Sequence, residues 1–118
     1  TQKDVREIQL AKAAVRAGIE TLLSEYGMEA SQVDTVYVAG GFGYCLDYEK
    51  AIAVGMFPEE FSEKLQAVGN SALQGAVQLL LGGVKIHEAE RIASCAKEID
   101  LSVHPIFQET YMDAMFFE

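Results

Sequence analysis

Cysteine, proline, histidine and basic residues are all scarce in this chain, and each shortage narrows what it can do. Its two cysteines, Cys45 and Cys95, lie far apart, with no Cys-x-x-Cys pair. A structural zinc site or an iron–sulfur cluster takes about four ligands, with thiolates dominant. With only His87 and His104 to add, a metal centre held by this chain alone is not expected. Nothing indicates secretion, so the thiols are expected to be reduced rather than bridged. Cys45 sits beside a glycine cluster, but no adjoining His or Lys favours its thiolate, which leaves little case for a reactive sulfur.

Two prolines among 118 residues, half of them hydrophobic, describe a globular chain and not a disordered one. Apolar runs such as Leu79 to Val84 fall far short of a bilayer span, so no membrane segment is expected. The start, Thr1-Gln2-Lys3-Asp4, lacks the pattern of a signal peptide, and the missing initiator methionine suggests a fragment or a processed chain. Nine Lys and Arg against 18 Asp and Glu leave a net charge of −9. That argues against nucleic acid, which needs clustered cations. The acidic surface is either simply solvated or steers a basic partner. The length suits one domain over residues 1–118, burying roughly two-thirds of its unfolded surface.

Periodicity divides this domain into helices with a little strand. Val5, Ile8, Ala11, Val15, Ile19, Leu22 and Tyr26 recur at helical steps, and predict a helix from Thr1, as N-cap, to a stop at Gly27. Val36 and Val38, alternating with Tyr37, predict a buried strand. Asp47 opens a short helix that ends at Gly55, and Pro58 begins a further short segment. Lys64–Gly69 reads as a second strand, and Ser71 to about Leu81 as a strong helix, capped by Asn70 or Ser71 and stopped by Gly82-Gly83. A helix over His87–Lys97, a strand at Leu101-Ser102-Val103 and a helix from Phe107 to Phe116 complete the reading. The class is α/β, a small sheet flanked by helices.

The first strand runs straight into Gly40-Gly41-Phe42-Gly43. Glycines at a strand's end let the backbone turn sharply, or let a ligand approach where a Cβ would collide. In α/β domains ligands bind at the carboxyl ends of strands. A dinucleotide fingerprint fails because Leu46 occupies its third glycine position. A P-loop fails because no lysine lies between Asp34 and Glu49. What remains is a strand, a Gly-Gly turn and a helix, which would offer bare backbone to a ribose or phosphate, or would merely turn the chain.

A helix, a polar link and then Asp34-x-Val36-x-Val38-Ala39-Gly40-Gly41-Phe42-Gly43 resembles the adenosine motif of the sugar kinase, heat-shock-protein-70 and actin superfamily. Ala67-Val68-Gly69-Asn70-Ser71-Ala72-Leu73-Gln74-Gly75-Ala76 is similar to that superfamily's small-residue closing helix. The run Thr1 to Ala14, the Ala39–Gly43 turn with Leu46-Asp47, the Val68–Ala76 segment and the ending Phe107–Phe117 together resemble the C-terminal part of the reductive activators of corrinoid proteins. The likeness spans essentially the whole chain.

That resemblance implies a partial actin-like (ribonuclease H-like) subdomain from a longer, cytoplasmic, ATP-dependent activator of anaerobic one-carbon metabolism. The longer protein would hold ATP or ADP with Mg, and a 2Fe–2S cluster that returns Co(II) corrinoid to Co(I). Its partners would be a corrinoid iron–sulfur protein or a corrinoid methyltransferase subunit, and it would form a homodimer. This chain has neither the cluster cysteines nor, by that likeness, the phosphate loops or the metal-binding acid, so alone it would be inactive. The implied nucleotide-facing residues are Gly40, Gly41, Phe42 and Gly43 beside the adenosine, with Asn70 and Ser71 lining the cleft. Asn70 and Ser71 also suit ordinary capping, Asp47 suits capping better than metal or base chemistry, and Phe107, Tyr111, Phe116 and Phe117 suit a core or a docking patch. Two rival functions are a non-catalytic dimerisation or docking module and the subdomain of a related ATPase, such as a 2-hydroxyacyl-CoA dehydratase activator.

Overall fold

In the computed structural model, which describes residues 1–115 and only the backbone of Phe42, the chain is an α/β unit built around one parallel strand pair. Its order is α1 (Gln2–Tyr26), β1 (Val36–Ala39), α2 (Phe42–Cys45), α3 (Tyr48–Ala53), β2 (Leu65–Gly69), α4 (Ser71–Leu80), α5 (Ile86–Ser94) and α6 (Pro105–Ala114). Short 3₁₀ turns occur at Ala30–Gln32, Glu59–Phe61 and Leu101–Val103.

The ends of α1 fall where the sequence puts them. Thr1 accepts the Asp4 N–H at 3.2 Å, and its hydroxyl donates to the Asp4 carboxylate at 2.8 Å, satisfying first-turn donors that have no helical partner. Gly27, at φ 74°, closes the other end by donating to the Leu23 and Ser24 carbonyls, a left-handed conformation that suits a residue without Cβ.

The buried face of α1 differs from the expected stripe. Ala13, Ala17, Thr21 and Lys12 are buried, whereas Val5, Ile8, Leu22 and Tyr26 are exposed. Of the stripe, Val15 and Ile19 pack on the core. Periodicity locates an apolar stripe but not the flank that the fold covers, and here the small residues lie on the covered flank. α6 runs antiparallel to α1. His104, at its start, bonds Glu25 near the end of α1, while Met112 and Asp113 share a groove with Gln9. Burial pushes the Lys12 pKa down, and the charge of Arg16 adds to the effect.

The core is centred on Ala51, Met56, Phe57 and Phe61, with Val36, Val38 and Leu65 of the sheet packed against it. Tyr48 meets Phe57 edge-on, with ring centroids 6.5 Å apart and planes at 78°, a favourable aromatic geometry. β1 is covered on one side only, since Tyr37 points outward and is 65% exposed. Its pairing with β2 sets Val36 opposite Leu65 and Val38 opposite Ala67, then slips so that Ala39 faces Gly69. Parallel strands need a crossover, and α2, α3 and the Glu59–Phe61 turn supply it.

Asp47 is a helix cap, its carboxylate accepting the Lys50 N–H at 3.2 Å. Leu101–Val103, expected as a strand, is a 3₁₀ turn. Asp100 accepts both the backbone N–H and the hydroxyl of Ser102, at 3.1 and 2.6 Å, and so offers the backbone a local alternative to a ladder. α6 starts two residues before the expected Phe107, with Pro105 in its first turn and His104 Nδ1 accepting the Ile106 N–H at 3.2 Å. Phe107 and Tyr111 are half-buried and stack at 5.7 Å. Phe116 and Phe117 lie outside the described residues.

Candidate functional site

The two strands end side by side, and their ends bring the predicted site residues together. Gly40 donates its N–H to the Gly69 carbonyl at 2.5 Å, so the Gly40–Gly43 turn and the Asn70–Ser71 helix start share one edge of the sheet. The glycines of this edge differ in why they are glycine. Gly40 has φ +82° and Gly69 φ +67°, a region that side chains with a Cβ avoid. Gly43 is buried, and a Cβ there would lie 2.7 Å from the Val38 carbonyl oxygen. Its own carbonyl accepts the Tyr48 hydroxyl at 2.7 Å. The helix–strand contact therefore requires glycine at position 43.

Gly41 is otherwise. Its backbone is ordinary right-handed helical, φ −65° and ψ −26°, and a Cβ added to it would meet nothing within 4 Å. Nothing in the described residues requires glycine there. It is exposed at the mouth of the turn, leaving bare backbone beside open space. Phe42 follows in the first turn of α2, and its side chain lies outside what the structure describes.

Across the edge, Asn70 caps α4, its side-chain oxygen accepting the Leu73 N–H at 3.0 Å. Ser71 is exposed in the first turn. Gln74 folds back, donating to the Val68 carbonyl at 3.3 Å, which ties the helix start to the end of β2. A helix start carries a partial positive charge and N–H groups without helical partners, so a polar or anionic group is favoured there. The edge brings together an exposed glycine turn and a helix terminus. It can hold and orient a ligand.

Two residues of this edge escaped sequence reasoning as site members. Gly69 appeared there only as part of a motif, although its positive φ makes the turn into α4. Tyr44 had no signal at all. Its ring reaches across to β2, so that a Cβ on Gly69 would lie 2.9 Å from the Tyr44 hydroxyl oxygen.

Other features of the surface lie apart from this edge. A groove of about 310 Å³ between α1 and α6 is lined by Lys12, Arg16, Glu20 and Asp113 among others, none of them from the glycine turn. Arg16 there is engaged by Glu20 at 2.9 Å and the Gly55 carbonyl at 3.1 Å. Cys45 and Cys95 are free and exposed. Among the described residues no group of three or more His, Cys, Asp or Glu could hold a metal ion, and no helix is long and apolar enough to cross a membrane.

The family model described as the C-terminal domain of RACo, the ASKHA domain, matches residues 1–118. The chain is 37% identical over 112 residues to the corrinoid activation enzyme RamQ of Eubacterium limosum, covering 95% of this chain and 19% of that protein. It is 29% identical over 114 residues to the Co(II) methylated amine-specific corrinoid protein reductase of Methanosarcina barkeri, covering 95% of this chain and 21% of that protein. A solved structure, a reductive activator for corrinoid, iron–sulfur protein, superposes with a TM-score of 0.86 at 35% identity over 99% of this chain and 19% of that one. The chain thus spans about a fifth of the length of these relatives.

Proposed function

Since the chain belongs to the family of C-terminal ASKHA domains of RACo, we propose that it is the nucleotide-facing subdomain of a longer, ATP-dependent activator that returns Co(II) corrinoid protein to Co(I). The relatives' names support the reaction. The observation that carries the nucleotide role is Gly41, a glycine that the described fold does not need, open at the joined ends of two parallel strands. In this reading the backbone of Gly40, Gly41 and Phe42 lies along the adenosine, with buried Gly43 holding the turn against β1 behind them, and Asn70 and Ser71 present the start of α4 to it. ATP with Mg, the phosphate-binding loops and a 2Fe–2S cluster belong to the remainder of the longer protein. Its partner is a corrinoid iron–sulfur protein or a corrinoid methyltransferase subunit, and its setting is cytoplasmic.

Hydrogen–deuterium exchange of the full-length protein tests the site. Adding ADP should protect the amides of peptides covering Gly40–Tyr44 and Gly69–Leu73. If neither peptide gains protection at saturating ADP, the site is wrong.

A second reading rests on α4 and α5. Every residue of α4 is exposed, including Leu73 and Leu80, and so are Ile86 and Ile92 of α5. Apolar faces of this kind mark contact surfaces, and they suit homodimerisation or docking in the longer protein. Sedimentation of the full-length protein decides the dimer: a single monomeric species at micromolar concentration would reject it.

A further inference from the structure

We propose that Tyr44 is a nucleobase-stacking residue of the nucleotide site, an assignment that rests on the reading of the Gly40–Gly43 turn as that site. Tyr44 is held in place yet left uncovered. Its backbone N–H donates to the Gly41 carbonyl at 3.2 Å, which fixes it one turn from the open glycine. The phenol end of its ring rests on Gly69, whose missing Cβ would otherwise lie 2.9 to 3.5 Å from the ring's Oη, Cε2 and Cζ atoms. Gly69 is joined in turn to Gly40 through its carbonyl. The ring is therefore anchored at both strand ends, and still it is 69% exposed.

Tyr44 is not covered as a core aromatic is, and its ring does not wave free in solvent, because its phenol end is seated on Gly69. One end of the ring is fixed against backbone and most of its surface is open, at the corner where Gly41 leaves room. A π-face in that position suits the planar base of a nucleotide, because every base offers a π-face and stacking tolerates any of them. The ring gives affinity for the base and little choice between bases. It does nothing for the phosphates, which the rest of the longer protein would meet.

The test uses the full-length protein and two probes, ADP and inorganic tripolyphosphate. Tyr44→Ala and Tyr44→Leu should each weaken ADP about tenfold, within the range for losing one aromatic–base stack, and leave tripolyphosphate affinity unchanged. Tyr44→Phe should bind ADP like the wild type, since the ring and not the hydroxyl is used. The leucine variant keeps apolar bulk over Gly69, so a loss there is not a loss of folding. Equal weakening of ADP and tripolyphosphate would overturn the proposal, because the residue would then only hold the turn in shape. So would wild-type ADP affinity in both Tyr44→Ala and Tyr44→Leu while Gly41→Val binds poorly; the site would stand and the stack would fall. If Gly41→Val and both ring-deleting variants all bind ADP normally, the nucleotide site itself falls, and the proposal with it.

Discussion

A Cβ on Gly43 would sit 2.7 Å from the carbonyl oxygen of Val38, closer than a Cβ comes to another atom in real proteins. α2 thus presses against the strand that precedes it, through a residue with no side chain. Gly43→Ala must push backbone against backbone, and overpacking of this kind costs about 1–3 kcal/mol. Chemical denaturation should show that loss, whereas Gly41→Ala, with ordinary φ and free space, should equal the wild type or exceed it. Equal stability of the two variants would show that the two glycines do not differ as described.

The elements of this fold were largely legible in the sequence, and its faces were not. Thr1, Gly27, Asp47, Asn70 and Gly82 end or begin helices for local reasons that a sequence shows: a side-chain oxygen three residues before an unpaired N–H, or a glycine able to turn left-handed. The covered side of α1 was not legible. Val5 and Ile8 make a better stripe than Ala13 and Ala17, yet the alanines are buried, because burial depends on where distant elements lie. The strand expected at Leu101 failed for a local reason that could have been seen, the Asp100–Ser102 pair. At the site, the glycine cluster was plain, but the roles of its members and the place of Tyr44 needed the geometry of β2, which is twenty residues and more away in the chain.

Asn70 offers a way to separate capping from ligand contact. Its side chain accepts the Leu73 N–H, and Asn70→Ala should lower stability by about 1 kcal/mol, as lost caps do. Asn70→Ser keeps a capping oxygen and should restore most of it. If the nucleotide also touches the Asn70 side chain, ADP affinity will stay reduced in Asn70→Ser although stability returns. Thermal unfolding and calorimetric titration of the full-length variants read the two effects separately. No stability change in Asn70→Ala would contradict the cap.

The joint of α1 and α6 carries a pH dependence. His104 accepts the Ile106 N–H at Nδ1, so its hydrogen is on Nε2, which donates to Glu25 at 2.7 Å. That hydrogen bond first, and then Lys97 at 3.6 Å, hold the Glu25 carboxyl below its usual range. A carboxylate with a lowered folded pKa adds stability above its unfolded value of about 4.3 and loses it as the pH falls through the folded one. Glu25→Gln should therefore be less stable than the wild type near neutral pH, and the gap should close as the pH falls through the lowered folded pKa of Glu25. Denaturation midpoints across that range check it, and a gap that stayed constant into acid would refute the charged contribution.

The central claim is that Gly41 is glycine for the sake of a nucleotide. Its most direct test is the affinity of full-length protein carrying Gly41→Val for ATP, measured by calorimetry beside the thermal unfolding of the same variant. Valine fits the open backbone there, so the unfolding temperature should not move. Its methyls would stand where the adenosine lies, and ATP should bind roughly tenfold more weakly or worse, about 1.4 kcal/mol. Wild-type affinity in a variant that folds normally would contradict the account.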